Sequence, residues 1–196
     1  MKIYVVRHED RTQDATFFSP LTSRGIENSK QLSKSFKKIG IDLIFSSPFI
    51  RTLQTVSNYA TEENISIKID YALVESINPY IIPENSYNVS LPEYLAEMFG
   101  VDLQYKPVMS PSDIIWDEKV KNIQDRAKKF LRKIFINYAK TNKTILICTH
   151  QAVINCIIKI FNKNHNLEYN YPKGGISKIF DTSKWDFEPI NWKYNL

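Results

Sequence analysis

The sequence predicts an α/β domain, a three-layer sandwich in which a mostly parallel central sheet is covered by helices on both faces. First, short runs of β-branched and aromatic residues alternate along the chain with longer amphipathic stretches, as in strand–helix–strand units. Second, the length of 196 residues fits one domain. Third, hydrophobic residues make up 43% and charged residues 24%, so the chain can bury a core and is not a disordered protein.

The first predicted strand leads through a loop into the first predicted helix. Residues 2–6 form a β-branched and aromatic run that indicates a buried strand, and a polar loop follows to about residue 20. Thr22 stands in the N-cap position of a helix that runs to about Lys38, and Gly40 marks its end. The apolar positions of this helix are Ile26, Leu32, Phe36 and Ile39.

A second strand, a second helix and a third strand are predicted between residues 42 and 69. Residues 42–45 are typical of a buried strand. Ser47-Pro48 begins a helix, with proline at the first helical position, where its missing N–H costs nothing, and the helix runs to about Ala60. Isoleucines that alternate with polar residues over 65–69 predict the third strand.

Residues 76–113 have a different character, with several prolines and tyrosines and one short helix-forming stretch at 92–99. We expect this region to be an insertion or lid over one end of the sheet, within a single domain that spans residues 1–196.

The last part of the chain returns to the alternating pattern. A long amphipathic helix is predicted over 116–139, a buried strand over 144–148 and a helix over 152–161. A further strand is expected near 176–180, and the tail is a candidate antiparallel strand near 185–192.

The predicted strand ends carry a specific set of side chains. In parallel sheets, ligands bind beyond the carboxyl ends of the strands, so residues that follow the strands meet at one edge. The first strand is followed by Arg7 and His8, the second by Ser46-Ser47-Pro48-Phe49-Ile50-Arg51, the third by Leu73-Val74-Glu75 and the fourth by Thr149-His150.

Two histidines, two arginines and a carboxylate at one edge suit a phosphoryl group. Arginine forks bind phosphate oxygens bidentately, and a neutral imidazole can attack phosphorus. A helix that starts near Gln151 would point its positive end at the same place. Each residue alone has an ordinary alternative: Arg51 as a solvated surface charge, and His150 as a structural residue. The third histidine, His165, is expected at the surface.

These residues lie within five motifs that follow one another along the chain. The motifs are Val5-Val6-Arg7-His8-Glu9, Pro20-Leu21-Thr22-Ser23-Arg24-Gly25, Ser46-Ser47-Pro48-Phe49-Ile50-Arg51-Thr52-Leu53-Gln54-Thr55, Leu73-Val74-Glu75 and Thr149-His150-Gln151-Ala152. In this order they resemble the motifs of the histidine phosphatase superfamily, which has the phosphoglycerate-mutase-like fold. Residues 105–117, and Arg11 after Asp10, are most similar to the Sts/TULA and ecdysteroid-phosphate phosphatase branch.

The resemblance implies a mechanism for hydrolysis of phosphomonoesters. His8 would be the nucleophile and form a phosphohistidine. The phosphoryl oxygens would be held by Arg7, Arg51 and His150, while Glu75 would protonate the leaving oxygen and then activate water. No metal or other cofactor is expected, because the arginines supply the positive charge.

Three positions near the predicted site need separate treatment. The family usually has glycine where this chain has Glu9, which would turn away, pair with Arg11 or itself donate the proton. Arg11 is a candidate contact for phosphate or for an acidic part of the substrate, and a salt bridge to Asp10 or Asp14 is the alternative. Gln151 stands where small residues are common in the family and is a further candidate substrate contact.

The substrate is predicted to be a phosphorylated small molecule or a phosphoprotein. The lid, with Tyr80, Tyr87, Tyr94, Phe99 and Tyr105, would either favour phosphotyrosine and bulky aromatic or steroid phosphates or simply pack onto the sheet. A phosphoglycerate-mutase-like phosphotransfer is less well matched, since the stretch after His8 lacks the mutase pattern. The other alternative is a catalytically weak module that binds phosphorylated ligands.

Composition bounds the partners and the compartment. The net charge of +5 favours anionic partners, but the lysine clusters lie on polar helix faces without a recognition motif, so nucleic-acid binding is not expected. No apolar run approaches the ~18 residues of a membrane span, and no signal peptide is apparent. We expect a cytoplasmic protein with Cys148 and Cys156 reduced in the core and with no membrane partner; a homodimer is compatible with the sequence.

Overall fold

The computed structural model describes residues 1–77, 79 and 89–181, and these form five strands and five α-helices. The predicted tail strand at 185–192 lies outside the described residues. In chain order, the elements are β1 (Lys2–Arg7), α1 (Ser23–Ile39), β2 (Leu43–Ser46), α2 (Ile50–Glu62), β3 (Ile67–Ile69), α3 (Glu93–Met98), α4 (Val120–Tyr138), β4 (Thr144–Thr149), α5 (Gln151–Phe161) and β5 (Ile176–Asp181).

The sheet is mixed, with strand order β3-β2-β4-β1-β5. Four strands are parallel, and β5 runs antiparallel to β1 at one edge, so the predicted mostly parallel sheet is confirmed. The registers of β1 and β4 place Arg7 opposite Thr149. The residues that follow these two strands therefore start side by side.

Alternating side chains on the central strands face two separate cores. On β1 and β4, Ile3, Val5 and Ile147 pack in a core with α4 and α5. On the same strands, Val6 and Cys148 pack in the opposite core with α1 and α2. The helices thus cover both faces of the sheet, as the period-two pattern of a buried strand requires.

The caps of α1 confirm the prediction, although one of its faces was assigned wrongly. Thr22 is the N-cap, and its hydroxyl accepts a hydrogen bond of 3.1 Å from the Gly25 amide. Gly40 ends the helix in the left-handed conformation with φ of 73°. Ile26, however, is 42% exposed, because the buried face passes through Ser29 and other small residues.

Gly25 holds the loop after β1 close to α1. A Cβ atom at this position would lie 2.1 Å from the carbonyl oxygen of Asp10, which accepts a hydrogen bond from the Thr22 amide. Only glycine permits this approach. The loop that follows His8 is therefore anchored on the first turn of α1.

The helix after β2 begins later than predicted. Phe49 is its N-cap in an extended conformation and Ile50 is its first residue, so Pro48 precedes the helix rather than opening it. Residues 46–49 consequently remain in a non-helical connection directly after β2, where Ser47 faces β4 through hydrogen bonds. The predicted bounds of β3 and α4 were likewise too wide at their amino-terminal ends.

The described parts of the predicted lid lie in two places. The stretch after α3 runs along the edge of the sheet, since Val101 forms a parallel bridge with Ile67 of β3. Ile77, Val89 and Ile114 instead pack with Phe49 near the carboxyl ends of the strands. Tyr80 and Tyr87 lie outside the described residues. Tyr105 packs on Phe45 beneath the sheet edge, so this ring is part of the packing rather than of an open mouth.

Candidate active site

Two histidines meet at the carboxyl edge of the sheet. The register of β1 with β4 continues one step beyond the strands, where the backbone amide of His8 donates to the Thr149 carbonyl at 3.0 Å. The rings of His8 and His150 lie 5.2 Å apart between centroids and are inclined by 60°. Both side chains are almost completely buried. The two imidazoles predicted from sequence therefore face one small space.

The protonation of His8 is set by its backbone partner. Its Nδ1 atom lies 2.7 Å from the Glu9 carbonyl oxygen, which can only accept a hydrogen bond. Nδ1 therefore carries the proton, and Nε2 retains a free lone pair. Burial, assisted by the positive charge of Arg51, holds the pKa of His8 well below its ordinary value of 6.5. A neutral imidazole with an available Nε2 is the form required of a nucleophile.

His150 is fixed by the connection after β2. Its Nε2 atom shares a hydrogen bond of 2.9 Å with Ser47 Oγ, and its Nδ1 atom lies 3.4 Å from Glu75 Oε2. Burial, together with the charge of Arg51, keeps the pKa of His150 well below 6.5, so this ring is also neutral. Since α5 begins at the next residue, the ring lies at the positive end of a helix.

Arg51 is a buried cation with spare hydrogen-bonding capacity. Its side chain is fully buried, and its guanidinium lies 4.4 Å from the centroid of the Phe49 ring. One nitrogen, Nη1, donates to the Thr16 carbonyl at 2.8 Å. Within the described part of the chain, its Nε and Nη2 atoms have no hydrogen-bond partner. Burial lowers the pKa of Arg51 to about 10, which still leaves the group charged at neutral pH.

Buried donors without partners are costly, so this arrangement suits the binding of an anion. Arg7, the residue before His8, repeats the feature: Nη1 donates to the Tyr171 carbonyl and to Asn170 Oδ1, whereas Nε has no partner among the described residues. The two guanidinium groups can therefore offer several N–H donors to one tetrahedral anion.

Glu75 lies between Arg51 and His150. Its Oε2 atom is 3.8 Å from Arg51 Nη2, and its Oε1 atom accepts a hydrogen bond of 3.0 Å from the Ser76 amide. The side chain retains 13% exposure, unlike the neighbouring arginine and histidine. The carboxylate can thus reach both the buried space and the solvent, as a group that exchanges protons with water must.

The structure places Glu9 differently from the site residues around it. The residue is buried, and its Oε2 atom accepts hydrogen bonds from Asn28 Nδ2 at 3.2 Å and from the Asp10 amide at 3.3 Å. Its backbone amide donates to Thr55 Oγ1. The carboxylate is therefore directed toward α1, which corresponds to the expectation that it turns away from the phosphate pocket.

Arg11 lies at the rim of the site, and Gln151 at the start of α5. The charge of Arg11 lowers the pKa of His8 and of Arg51, although it is not the leading cause in either case. Among the described residues, Arg11 makes no ion pair with Asp10 or Asp14; Asp10 instead pairs with Lys173. Gln151 is half-buried at the first position of α5, beside His150.

Sequence reasoning missed a buried ion pair behind Glu75. Arg126 and Glu118 are 3% and 6% exposed and are joined by a hydrogen bond of 2.7 Å from Nε to Oε1. The signal was available, because Arg126 stands in the apolar stripe of α4 between Ile123 and Phe130. A charged residue in that stripe indicates a buried partner.

His165 was expected at the surface. It is half-buried and bonds Asn155 Oδ1 at 2.8 Å.

The site also contains three potential metal ligands. One ligand atom each from His8, Glu75 and His150 lies within 4.8 Å of the others, and neutral imidazoles are good ligands. The bordering guanidinium of Arg51 opposes a cation, however, and its free donors require an acceptor. The electrostatics of the site therefore favour an anion.

This combination defines a class of protein: an α/β fold that places a neutral histidine beside buried guanidinium groups able to bind an anion. The sequence model of the histidine phosphatase superfamily (branch 1) matches residues 3–191, and the chain belongs to this family. Membership supports a phosphatase or phosphotransfer activity.

Two solved structures share the fold. The structure is similar to the ecdysone phosphate phosphatase of Bombix mori in complex with tungstate, with a TM-score of 0.72, 12% identity and coverage of 100% of this chain and 96% of that chain. It is also similar to a phosphoserine phosphatase mutant from Entamoeba histolytica in complex with phosphoserine, with a TM-score of 0.58, 20% identity and coverage of 99% and 96%.

A sequence relative comes from the mutases. The 2,3-bisphosphoglycerate-dependent phosphoglycerate mutase of Methanosarcina mazei is 23% identical over an alignment 167 residues long; the match covers 71% of this chain and 69% of that protein. Separately, none of the helices in the described residues has the length and hydropathy to cross a membrane.

Proposed function

We propose that this protein is a metal-independent phosphatase that hydrolyses phosphomonoesters through a phosphohistidine on His8. The observation that carries the proposal is the hydrogen bond between His8 Nδ1 and the Glu9 carbonyl, which leaves Nε2 as an unprotonated nucleophile. The lowered pKa of His8 keeps it in this form across the neutral range.

The first step transfers the phosphoryl group to the protein. The Nε2 lone pair of His8 bonds to phosphorus, the bond from phosphorus to the ester oxygen breaks, and Glu75 in its acid form donates its proton to that oxygen. In the second step, the Glu75 carboxylate takes a proton from a water molecule, whose oxygen bonds to phosphorus while the bond to Nε2 breaks. The products are the alcohol, inorganic phosphate and the free imidazole.

Arg51 and Arg7 stabilise the charge that develops on the phosphoryl oxygens. Their unpartnered N–H groups are already buried and oriented, so little reorganisation is needed during the reaction. His150, held by Ser47, would contact a further oxygen of the same group. Positive charge at this position performs the role that a metal ion has in other phosphatases.

For the substrate, we propose a phosphomonoester with an aromatic or otherwise apolar alcohol, such as phosphotyrosine or a steroid phosphate. Phe49 contacts His150 at 5.0 Å between centroids, and Phe17 packs on Phe49 at 4.9 Å, so an apolar wall adjoins the histidines. Phe18 next to it is 44% exposed. The likeness to the ecdysone phosphate phosphatase supports the same class of substrate.

The free, buried cysteines Cys148 and Cys156 support a cytoplasmic location.

Turnover of p-nitrophenyl phosphate in excess EDTA tests the proposal. The wild-type protein should retain full activity with the chelator, and acid quenching with labelled substrate should trap a phosphohistidine. His8→Ala should lose both signals, whereas His165→Ala, which changes the histidine outside the site, should keep them. Full turnover by His8→Ala would refute the mechanism.

A mutase activity is the second candidate, favoured by the sequence relative from Methanosarcina mazei. It predicts interconversion of 3- and 2-phosphoglycerate that depends on 2,3-bisphosphoglycerate. The phosphatase proposal instead predicts release of inorganic phosphate without isomerisation, and one assay on 3-phosphoglycerate that measures both products separates the two activities.

A further inference from the structure

Glu75 lies in a segment of the chain that forms neither a helix nor a strand. After β3, residues 71–73 form one turn of 3₁₀-helix, and the chain then continues as an irregular connection through Ile77. Glu75 approaches Arg51 and His150 at 3.8 and 3.4 Å, distances too long to fix the side chain tightly, and its 3.0 Å hydrogen bond comes from the backbone amide of Ser76. Its position must therefore come from the backbone that bears it.

A buried ion pair holds that backbone from behind. Arg126 of α4 donates through Nη1 to the Ala72 carbonyl at 2.6 Å and through Nη2 to the Glu75 carbonyl at 3.3 Å. Its remaining contacts go to Glu118, with Nε on Oε1 at 2.7 Å and Nη2 on Oε2 at 2.9 Å. One guanidinium thus joins two carbonyl groups of the connection to a single carboxylate.

Glu118 extends the same contacts to the far end of the connection. Its backbone amide donates to the Ile77 carbonyl at 2.6 Å, and its Oε2 atom accepts from the Ile77 amide at 3.5 Å. From the opposite side, Thr149 Oγ1 at the end of β4 donates to the Leu73 carbonyl at 2.6 Å. Residues 72–77 are therefore held by bonds on both sides of Glu75.

Stability alone does not account for a charged pair at this position. Removing two charges from water costs free energy that their attraction repays only in part, and well-packed apolar replacements are often neutral or stabilising. Arg126 bonds the carbonyl of Ala72 and precedes Ala127 in the chain, and both alanines belong to the apolar core. What an apolar pair could not supply is the directed set of N–H donors to the carbonyls of residues 72 and 75.

We infer that Arg126 is a positioning residue for the general acid and that Glu118 orients it. The inference rests on the proposed function, because it assigns Arg126 to the placement of Glu75 relative to the ester oxygen. A displacement of a catalytic group by about 1 Å can cost ~10²-fold in rate, so loss of these bonds should impair proton donation even in a folded protein.

The consequence depends on the leaving group. p-Nitrophenolate is a weak base and departs with little protonation, whereas phenolate needs the proton. A misplaced Glu75 should therefore reduce kcat/KM for phenyl phosphate more than for p-nitrophenyl phosphate. A general structural defect would lower both values by the same factor.

The experiment compares kcat/KM for the two esters in Arg126→Met and in the double variant Arg126→Met with Glu118→Leu. The double variant removes both buried charges together, so it avoids the unpaired buried carboxylate that Arg126→Met alone leaves on Glu118. In both variants, kcat/KM for p-nitrophenyl phosphate divided by kcat/KM for phenyl phosphate should rise about 10-fold or more. The matched control, Arg132→Met, changes an exposed residue of the same helix and should leave the ratio unchanged.

Glu75→Gln separates failure of this inference from failure of the proposed function. If Glu75→Gln raises the ratio and the Arg126 variants do not, the positioning role is overturned and Glu75 remains the acid. If Glu75→Gln leaves the ratio at the wild-type value, the assignment of Glu75 as the acid is wrong, and the role of Arg126 is overturned with it.

Discussion

Ser47 and His150 share a hydrogen bond of 2.9 Å between Oγ and Nε2, which joins the connection after β2 to the end of β4. Both residues are completely buried. The bond leaves only Nδ1 of His150 to face the Glu75 carboxylate. A serine outside the charged set therefore determines how the second histidine is presented to the site.

Ser47→Ala should lower kcat for p-nitrophenyl phosphate about 10-fold. A hydrogen bond of this kind contributes about 1 kcal/mol, and the alanine would also leave Nε2 of a buried imidazole without its partner. Steady-state kinetics give the measurement. Ser33→Ala is the control. That serine is also buried, but its hydroxyl donates to Glu62 at the last residue of α2 and does not bond a histidine. Wild-type kcat in Ser47→Ala would show that His150 does not depend on this bond.

Arg51→Met should lower kcat by ~10²–10³-fold while leaving the thermal midpoint unchanged or higher. The loss reflects removal of a preoriented donor for the phosphoryl oxygens. The gain in stability reflects the cost of burying a guanidinium that makes one hydrogen bond, to Thr16, and approaches Glu75 only at 3.8 Å. Thermal melting tests the predicted midpoint, and steady-state turnover tests the predicted loss of kcat. Both are measured on the same preparation of Arg51→Met.

The free protein and the phosphate-bound protein should also respond differently to Arg51→Met. Inorganic phosphate should raise the melting temperature of the wild type and of the control Arg24→Met, but not that of Arg51→Met. Equal stabilisation of all three proteins by phosphate would place the anion away from Arg51.

Much of the site could be predicted because topology brings strand ends together. Once β1 and β4 are recognised as parallel strands of one sheet, His8 and His150 must emerge at the same edge. The sequence alone does not state that β1 and β4 are neighbours, since β1 ends at Arg7, β4 begins only at Thr144, and the sheet order is not sequential. The family motifs supplied the missing adjacency.

The errors have physical causes in side-chain partners that are remote in sequence. Ile26 was assigned to the apolar positions of α1, but it is exposed, and α1 packs on α2 through Ser29 and Ser33, whose hydroxyls bond Asn58 and Glu62. The Arg126–Glu118 pair was missed because Glu118 precedes α4 and carries no helical periodicity. The position of Arg126 in the apolar stripe of α4 indicates a buried partner, but the identity of that partner is visible only once the helices are packed.

Glu9→Gln should change kcat/KM by less than about 3-fold and lower stability by about 1 kcal/mol. The carboxylate accepts hydrogen bonds from Asn28 and the Asp10 amide, so the change affects packing against α1 rather than the phosphoryl group. If Glu9 were the proton donor, the loss would be ~10²-fold or more. Kinetics and urea denaturation of the same variant distinguish these outcomes.

The two buried histidines should make the stability of the free protein depend on pH just below neutrality. Their pKa values lie well below 6.5 in the folded protein, so the unfolded chain binds more protons in this window. Their contribution is fully present above about pH 6.5 and is lost as pH falls, by up to about 1.4 kcal/mol per pH unit for each histidine. Urea denaturation from pH 7.5 to 5 should show this slope. It should flatten in His8→Asn combined with His150→Asn and change less in His165→Asn, whose ring is half-exposed; an unchanged slope in the double variant would assign the effect to other groups.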